Sequence, residues 1–477
     1  MSTFSGLNTA YSGLQAARAG LEVTGQNITN AGTAGYTRQR LTTQSATPPA
    51  QIGPITGSNT AAGQGVILAG VARLSDSFLD AGVRNASATS GYAQLRSTSL
   101  TEVEQSFNEP GPNGLSAQLQ SFWASWQDLA NSPNDASAGA AVLQNAAAVT
   151  GQIAGGYTAI DSAWTKARSQ VDSLASQLND AADHIASLNT TIRQTMAAGG
   201  SVNELLDQRA QLTSTVASIA GGSVVNRLDG TVDLTIGGNL LVSGSSANHV
   251  QVSGATDMTG TAVSAVRVEW AQRPGQSIGL DGGSLAGALS LVAPANGSGT
   301  GGVLAETANA YNQLATQLAA QVNAIHSTSV TTDGRTGLDF FGVAAGGPAA
   351  LGLSVVPTTP ADIAAGRPGA GSLDGSAADA VSQLASGAGS PDRLWSNMVS
   401  TIGSLSRVAM QQATLAGTAL TNAKTAQTSS ESVDLDEENM NMLQQQTSYQ
   451  AAARMMTAVD SLLDTLINHT GLVGLSG

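Results

Sequence analysis

Few stretches of this chain carry residue types that could do covalent chemistry. Gly275-Gln-Ser277-Ile-Gly279 fits G-x-S-x-G, the pattern in which a sharp strand-to-helix turn exposes a nucleophilic serine. That chemistry needs a histidine and a carboxylate at Ser277 and an alternation of strands and helices around it, and the neighbouring sequence reads as β segments and glycine-rich connection. Gly297-Ser-Gly-Thr-Gly-Gly302 precedes a helix, where a phosphate could sit, but it lacks both the G-x-G-x-x-G spacing and a nearby lysine. His184, His249, His326 and His469 never fall at metal-ligand spacing. The acidic run Glu431, Asp434, Asp436, Glu437 and Glu438 has no central glycine of the calcium-loop kind and reads as a capped, solvated helix start. Trp123 and Trp126 read as bundle core. No catalytic, cofactor-binding or metal residue is assigned, and no cofactor is called for. A secreted hydrolase on a helical stalk, using Ser277, is kept as the alternative from another class.

What the sequence does carry is apolar association. In Leu435 to Leu466, the residues Leu435, Met442, Tyr449, Met456 and Leu463 recur at seven, and Ala452, Val459 and Leu466 form a second column. That is the a/d seam of a helix that requires a partner helix. At the other end Leu7, Leu14, Leu21 and Ile28 also recur at seven, with Phe4 and Tyr11 in the second column. The two ends are expected to pair with each other, or to pack jointly against neighbouring copies, with the rest carried outward on that stalk. An isolated amphipathic helix is marginal in water, so both ends are expected to order on polymerisation.

Composition points the same way. Charged residues are 11% and aromatics 4% of 477 residues, so small aliphatic seams are affordable and one large core is not. The formal net charge of −14 excludes a phosphate-neutralising surface, hence nucleic acid. Without cysteine there are no disulfides, thiol nucleophiles or Cys-ligated zinc. No apolar run is long enough for membrane insertion. The first charge is Arg18, and polar residues interrupt the apolar ones before it, so a cleaved signal peptide is not expected.

The elements needed to position the seams follow from period and breakers. Residues 3 to 33 read as a helix stopped by two close glycines, and 41 to 74 as extended chain or hairpin. Helices are expected from Asp76 to Asn108 and from Ser116 to Ala130. Then Ile153, Tyr157, Ile160, Trp164, Ala167, Val171, Leu174, Leu178, Ala181, Ile185, Leu188 and Ile192 step by four and three in one long helix. The expected division is 1–75, N-terminal helix and extended segment; 76–221, helical bundle; 222–302, a small antiparallel β domain and Gly-rich linker. There follow 303–330, a helix returning to the bundle; 331–390, an Ala/Gly/Pro-rich connection; 391–430, a bundle helix; and 431–477, the C-terminal coiled-coil helix. Asp434 is a plausible cap with Glu437 three residues on. The fold class is mainly α with a small β domain that projects outward from an elongated multi-domain rod.

Leu7-Asn-Thr-Ala-Tyr-Ser-Gly-Leu14, Gly20-Leu-Glu-Val-Thr-Gly-Gln-Asn-Ile28 and Gly35-Tyr-Thr-Arg-Gln39 resemble the N-terminal signature of the axial flagellar proteins of rod, hook and hook–filament junction. The Tyr-Thr-Arg-Gln ending, Asn203-Glu-Leu-Leu-Asp-Gln-Arg209, Asp229-Gly-Thr-Val232, Gly237-Gly-Asn-Leu-Leu-Val-Ser-Gly244 and Asp339-Phe-Phe-Gly342 are similar to the first hook-associated protein family in particular. Ala34 stands where that family often has proline, and Gly32 where asparagine is usual. The resemblance implies a non-enzymatic part of an extracellular flagellar tube at the hook–filament junction, reached by type III export. It implies self-association in that tube, the hook subunit and the second hook-associated protein as neighbours, and an export chaperone on the C-terminal helix. Leu7, Leu14, Leu21, Ile28, Tyr449, Met456, Val459, Leu463 and Leu466 are the expected axial packing residues. Another axial protein, hook subunit or second junction protein, remains an alternative.

Overall fold

The computed structural model describes residues 3–46 and 65–469. The side chain of Phe4 and the middle of the 41–74 segment lie outside the described residues. Helix α1 (Thr3–Asn30) is followed by an antiparallel hairpin, β1 (Gln39–Ser45) and β2 (Val66–Arg73). Four helices follow: α2 (Ser77–Ser106), α3 (Leu115–Asn131), α4 (Ala136–Ala197) and α5 (Asn203–Ala220). Asp76 and Asp135 accept hydrogen bonds from backbone amides at the starts of α2 and α4, which fixes where those helices begin.

Helix α4 is the spine. Its 62 residues span about 93 Å at 1.5 Å per residue. Its four-and-three apolar run is buried except for half-buried Leu188, because α3, α5, α6 (Gly283–Val292) and α7 (Val303–His326) cover it in turn.

The expected outward-projecting β domain is two separate antiparallel sheets laid along α4. One is β3 (Ser223–Asn226), β4 (Val232–Ile236), β5 (Asn239–Ser243) and β6 (Ser246–Ala247); the other is β7 (Val250–Ser253) with β8 (Arg267–Trp270). Side-chain amides of α4 tie them down. Asn189 Nδ2 donates to Val232 O and Gly244 O, and Asn179 Nδ2 to Val250 O. Helix α6 has no helical period in the sequence: it is ten residues of small and aliphatic side chains with two glycines. Gly283 adopts φ +80° and has Ile219 backbone against it, where a Cβ would stand 2.3 Å from the carbonyl carbon.

The segment after α7 folds back on the spine as β9 (Val330–Thr331), β10 (Phe341–Val343), α8 (Ala349–Gly352), β11 (Leu353–Val355), β12 (Ala364–Gly366) and α9 (Ser376–Ser382). Its anchor is an aromatic cluster of Phe122, Trp123, Trp126, His326, Phe340 and Phe341. The tryptophan pair is therefore core. Helix α10 (Pro391–Glu431) returns along α2, and α11 (Leu435–Asp464) closes the chain beside α1. Asp434 caps α11, accepting from the amides of Asp436 and Glu437.

Candidate functional site

The two chain ends pair. A Cβ built on Gly6 would lie 3.8 Å from Val459 Cγ2, one on Gly13 3.9 Å from Ala452 Cβ, and one on Gly20 2.6 Å from Gln445 Cδ. Rising numbers on α1 meet falling numbers on α11, so the helices run antiparallel. The face α1 turns inward is Gly6, Ala10, Gly13, Ala17, Gly20, Thr24 and Asn27, stepping by four and three. Small residues let the backbones approach, and the larger side chains of α11 fill the seam.

This assigns places to the expected packing residues. Met456, Val459 and Leu463 lie half-buried on the α11 face towards α1, and Tyr449 is 39% exposed at its edge. Leu466 sits in the terminal π-helical turn Thr465–His469 and is 57% exposed. Leu7, Leu14 and Leu21 follow the three glycines by one residue, which puts them about 100° round the helix, half-buried on its flank. Ile28 is half-buried near the helix end. The inner glycine column was the signal for this arrangement, and its seven-residue spacing is legible in the sequence.

A polar joint fastens this pair to the bundle. Asn27 Nδ2 donates to Gln39 O, and Asn27 Oδ1 accepts from Gln39 N and Tyr36 Oη. Asn203 Nδ2 donates to Gln39 Oε1, and Glu204 Oε1 accepts from Gln26 and Gln39. Asp207 accepts from the Thr37 amide and pairs with Arg73. Arg209 Nη1 donates to Asn189 Oδ1 and Gly230 O, carrying the network on to the first sheet. The Asn203–Arg209 stretch thus holds terminal pair, hairpin and sheet together.

A second clamp closes the other side. Arg38 reaches Glu437 and Glu438, Arg38 N donates to Glu431 O, and Asp76 N donates to Glu431 Oε1. Burial alone would lower the Arg38 pKa, but its hydrogen bonds to both glutamates carry it above the ordinary value. Burial raises that of Glu431, and burial with Glu204 and Asp207 nearby pushes the Tyr36 phenol up to about 12. Burial next to Arg73 lowers Arg209 to about 10, which leaves it protonated at neutral pH. Beside the joint a cleft of about 1240 Å³ opens between the 31–37 loop, α2, α5 and α10, and both lysines of the chain, Lys166 and Lys424, line it.

The residues considered for chemistry are scattered. Ser277 is exposed, with its backbone bridged to Glu269. His249 pairs with Asp183, and His326 is buried between Leu338 O and Ala364 N. Glu306 Oε1 already accepts from the amides of Asn296 and Gly301 in the glycine-rich loop. Among the described residues no group of three or more metal-ligating side chains converges, and no helix is long and apolar enough to cross a membrane.

Comparison with known proteins fits this architecture. The family described as Flagellar hook-associated protein FlgK helical domain matches residues 100–341, which runs from α2 to β10. The chain belongs to the flagellar hook-associated protein FlgK family. A second family, Flagellar basal body rod FlgEFG protein C-terminal, matches residues 422–469, the end of α10 and α11. Flagellar hook-associated protein 1 of Bacillus subtilis is 29% identical over 517 residues, covering 99% of each chain. Its namesake in Salmonella typhimurium is 33% identical over 341 residues, covering 71% of this chain and 59% of the relative. The solved flagellar hook junction protein FlgK from Burkholderia pseudomallei shares the fold, with a TM-score of 0.62 at 16% identity over 72% of this chain and all of that one. In this FlgK-family chain, the helical-domain match covers the spine, and the rod-type match covers the helix that pairs with α1. The chain is a structural component of the bacterial flagellum.

Proposed function

We propose that this chain forms one layer of the flagellar tube at the junction between hook and filament, and that it acts by packing and not by catalysis. The terminal pair is the polymerising part; the bundle and its sheets stand on it. One observation carries this reading: the pair closes its inner seam and still leaves large apolar side chains in water, with Tyr11 50%, Leu443 61% and Leu462 61% exposed. Open apolar surface of this kind marks an interaction site. Leu7, Leu14, Leu21, Ile28, Tyr449, Met456, Val459, Leu463 and Leu466 are proposed to contribute, either by building the pair or by flanking it.

The neighbours would be the hook subunit on one side and the second hook-associated protein on the other, with an export chaperone shielding α11 before the chain leaves the cell. Electron microscopy of a strain lacking the chain tests the placement. Hooks without filaments are expected, whereas missing hooks would move the protein to the hook itself and normal filaments would remove the reading.

A further inference from the structure

We propose that the end of the bundle far from the terminal pair opens in acid: a proton taken up by His326 frees the returning limb of the 327–366 segment from the end of α7, while the terminal pair stays closed. This stands apart from the assembly reading above.

The segment leaves α7 and folds back, and two side chains of α7 hold its two limbs. Asn323 holds the outgoing limb. Its Nδ2 donates to Phe341 O, and its Oδ1 accepts from the amides of Phe340 and Phe341. That amide does not titrate. His326 reaches both limbs. Leu338 O, 2.7 Å from Nδ1, can only accept, so Nδ1 carries the proton. Nε2 then offers its lone pair to the Ala364 amide of the returning limb at 2.9 Å. A second proton adds at that lone pair and forms an N–H bond there, so two donors face each other and the hold on Ala364 is lost.

The surroundings offer the new N–H nothing. His326 is 0% exposed, with the rings of Phe340 and Trp126 edge-on to it. Trp126 Nε1 is itself buried with no hydrogen-bond partner among the described residues. A buried donor without an acceptor is relieved by opening to water. Ile363, Ala364 and Ala365 are buried with it, and Gly139 of α4 lets the limb lie close: a Cβ there would stand 2.8 Å from Pro360 Cβ. Opening therefore uncovers an apolar strip.

Charge around the ring does not reverse this. Trp126 faces it from α3, Ala364 from the returning limb, and Phe340 and Asp339 from the outgoing limb. Among the described residues, exposed Asp339 is the charged group that acts on the ring, and its pull towards the protonated form is weaker than the effect of burial. Further out, Arg335 donates to Ala361 O and Asp362, and Arg335 and Thr359 together hold the Asp362 carboxyl well below the usual range. That tie survives mild acid, so the two limbs stay joined to each other. Position limits the effect to one end. Gly139 and Asn189 of α4 stand about 75 Å apart at 1.5 Å per residue. Asn189 belongs to the polar joint, whose hydrogen bonds involve no histidine.

Amide exchange on the full-length protein tests this, followed from about pH 7.5 to 5 and corrected for the intrinsic rate. Protection of residues 359–366 should fall by up to about tenfold per pH unit below about 6.5, with the α4 amides from Ile153 to Ile192 unchanged. His326→Gln keeps one donor and one acceptor and should remove the dependence. His249→Gln, at the exposed pair with Asp183, should keep it. If His326→Gln does not fold, the wild-type profile still decides. Flat protection at 359–366, loss spread evenly along the chain, or a dependence that survives in folded His326→Gln would each overturn the proposal.

Discussion

Arg38 Nε lies 2.8 Å from Glu438 Oε1, and the Glu438 side chain is 2% exposed. The two residues are 400 positions apart, one leading into the hairpin and one in the first turns of α11. Arg38→Ala would strand a buried carboxylate, at a cost of about 3 kcal/mol if the fold does not relax. The loss is local, because no spine contact depends on it. Hydrogen exchange should accelerate in the first turns of α11 and in β1, with the α4 amides unchanged. Uniform acceleration along the chain would show that the clamp is not a local device.

Asn189 is fully buried and uses both ends of its amide. Its oxygen accepts from Arg209 and the Val232 amide, and its nitrogen donates to two carbonyls. Asn189→Leu keeps the branched outline, takes one of two acceptors from Arg209, which retains Gly230 O, and leaves three backbone groups without the amide. A stability loss of about 3 kcal/mol is expected from urea unfolding, with β3–β6 exchange rising first. A change within error would mean that water replaces the amide.

How much of this could be read in advance differs by element. The period of α4 was legible because its partners cover one continuous stripe from Ile153 to Ile192. The α11 seam was legible in part: Ala452, Met456, Val459 and Leu463 are half-buried towards α1, whereas Leu435, Tyr449 and Leu466 stand exposed. The inward face of α1 was harder. Glycine and alanine carry little apolar signal, so the leucines beside them draw the eye although they occupy the flank. The joint was legible only as resemblance, since Asn203, Asp207 and Arg209 gain meaning from Gln39, Arg73 and Asn189, all distant in sequence. The division of the β region into two sheets depends on Asn179 and Asn189 of α4, which no strand pattern contains.

His326 supplies a pH test. It is buried, with one ring nitrogen at Leu338 O and the other accepting from the Ala364 amide, so it is neutral in the fold. Burial lowers its pKa below the ordinary value of 6.5, despite the opposing pull of Leu338 O and Asp339. Between its folded and unfolded pKa values the unfolded chain binds more protons, so stability rises with pH in that window. Stability should therefore be full above about pH 6.5 and fall as the pH drops below it. Glu431 and Asp392, whose carboxyls are raised by burial, act with the opposite sign, so their contribution is lost as pH rises. Urea midpoints measured from about pH 7.5 to 5.5 on the wild type and on His326→Gln separate the histidine effect from theirs. His326→Gln should be less stable and lose the slope; an unchanged slope would assign it elsewhere.

Gly13 and Leu14 are neighbours with different predicted roles, and substitutions at the two separate pairing from assembly. A Cβ on Gly13 would make ordinary contact with Ala452, so Gly13→Ala is tolerated, but Gly13→Leu must push α11 away. Leu14→Asp leaves the glycine face untouched and puts a charge on the outer flank. Hydrogen exchange on the monomer should therefore show both terminal helices loosened by Gly13→Leu and nearly native in Leu14→Asp. Neither variant should enter the flagellum, because one lacks the pair and the other lacks a usable outer face. A loosened pair in Leu14→Asp would place the leucine column in the inner seam, and incorporation of Gly13→Leu would show that pairing within the chain is dispensable.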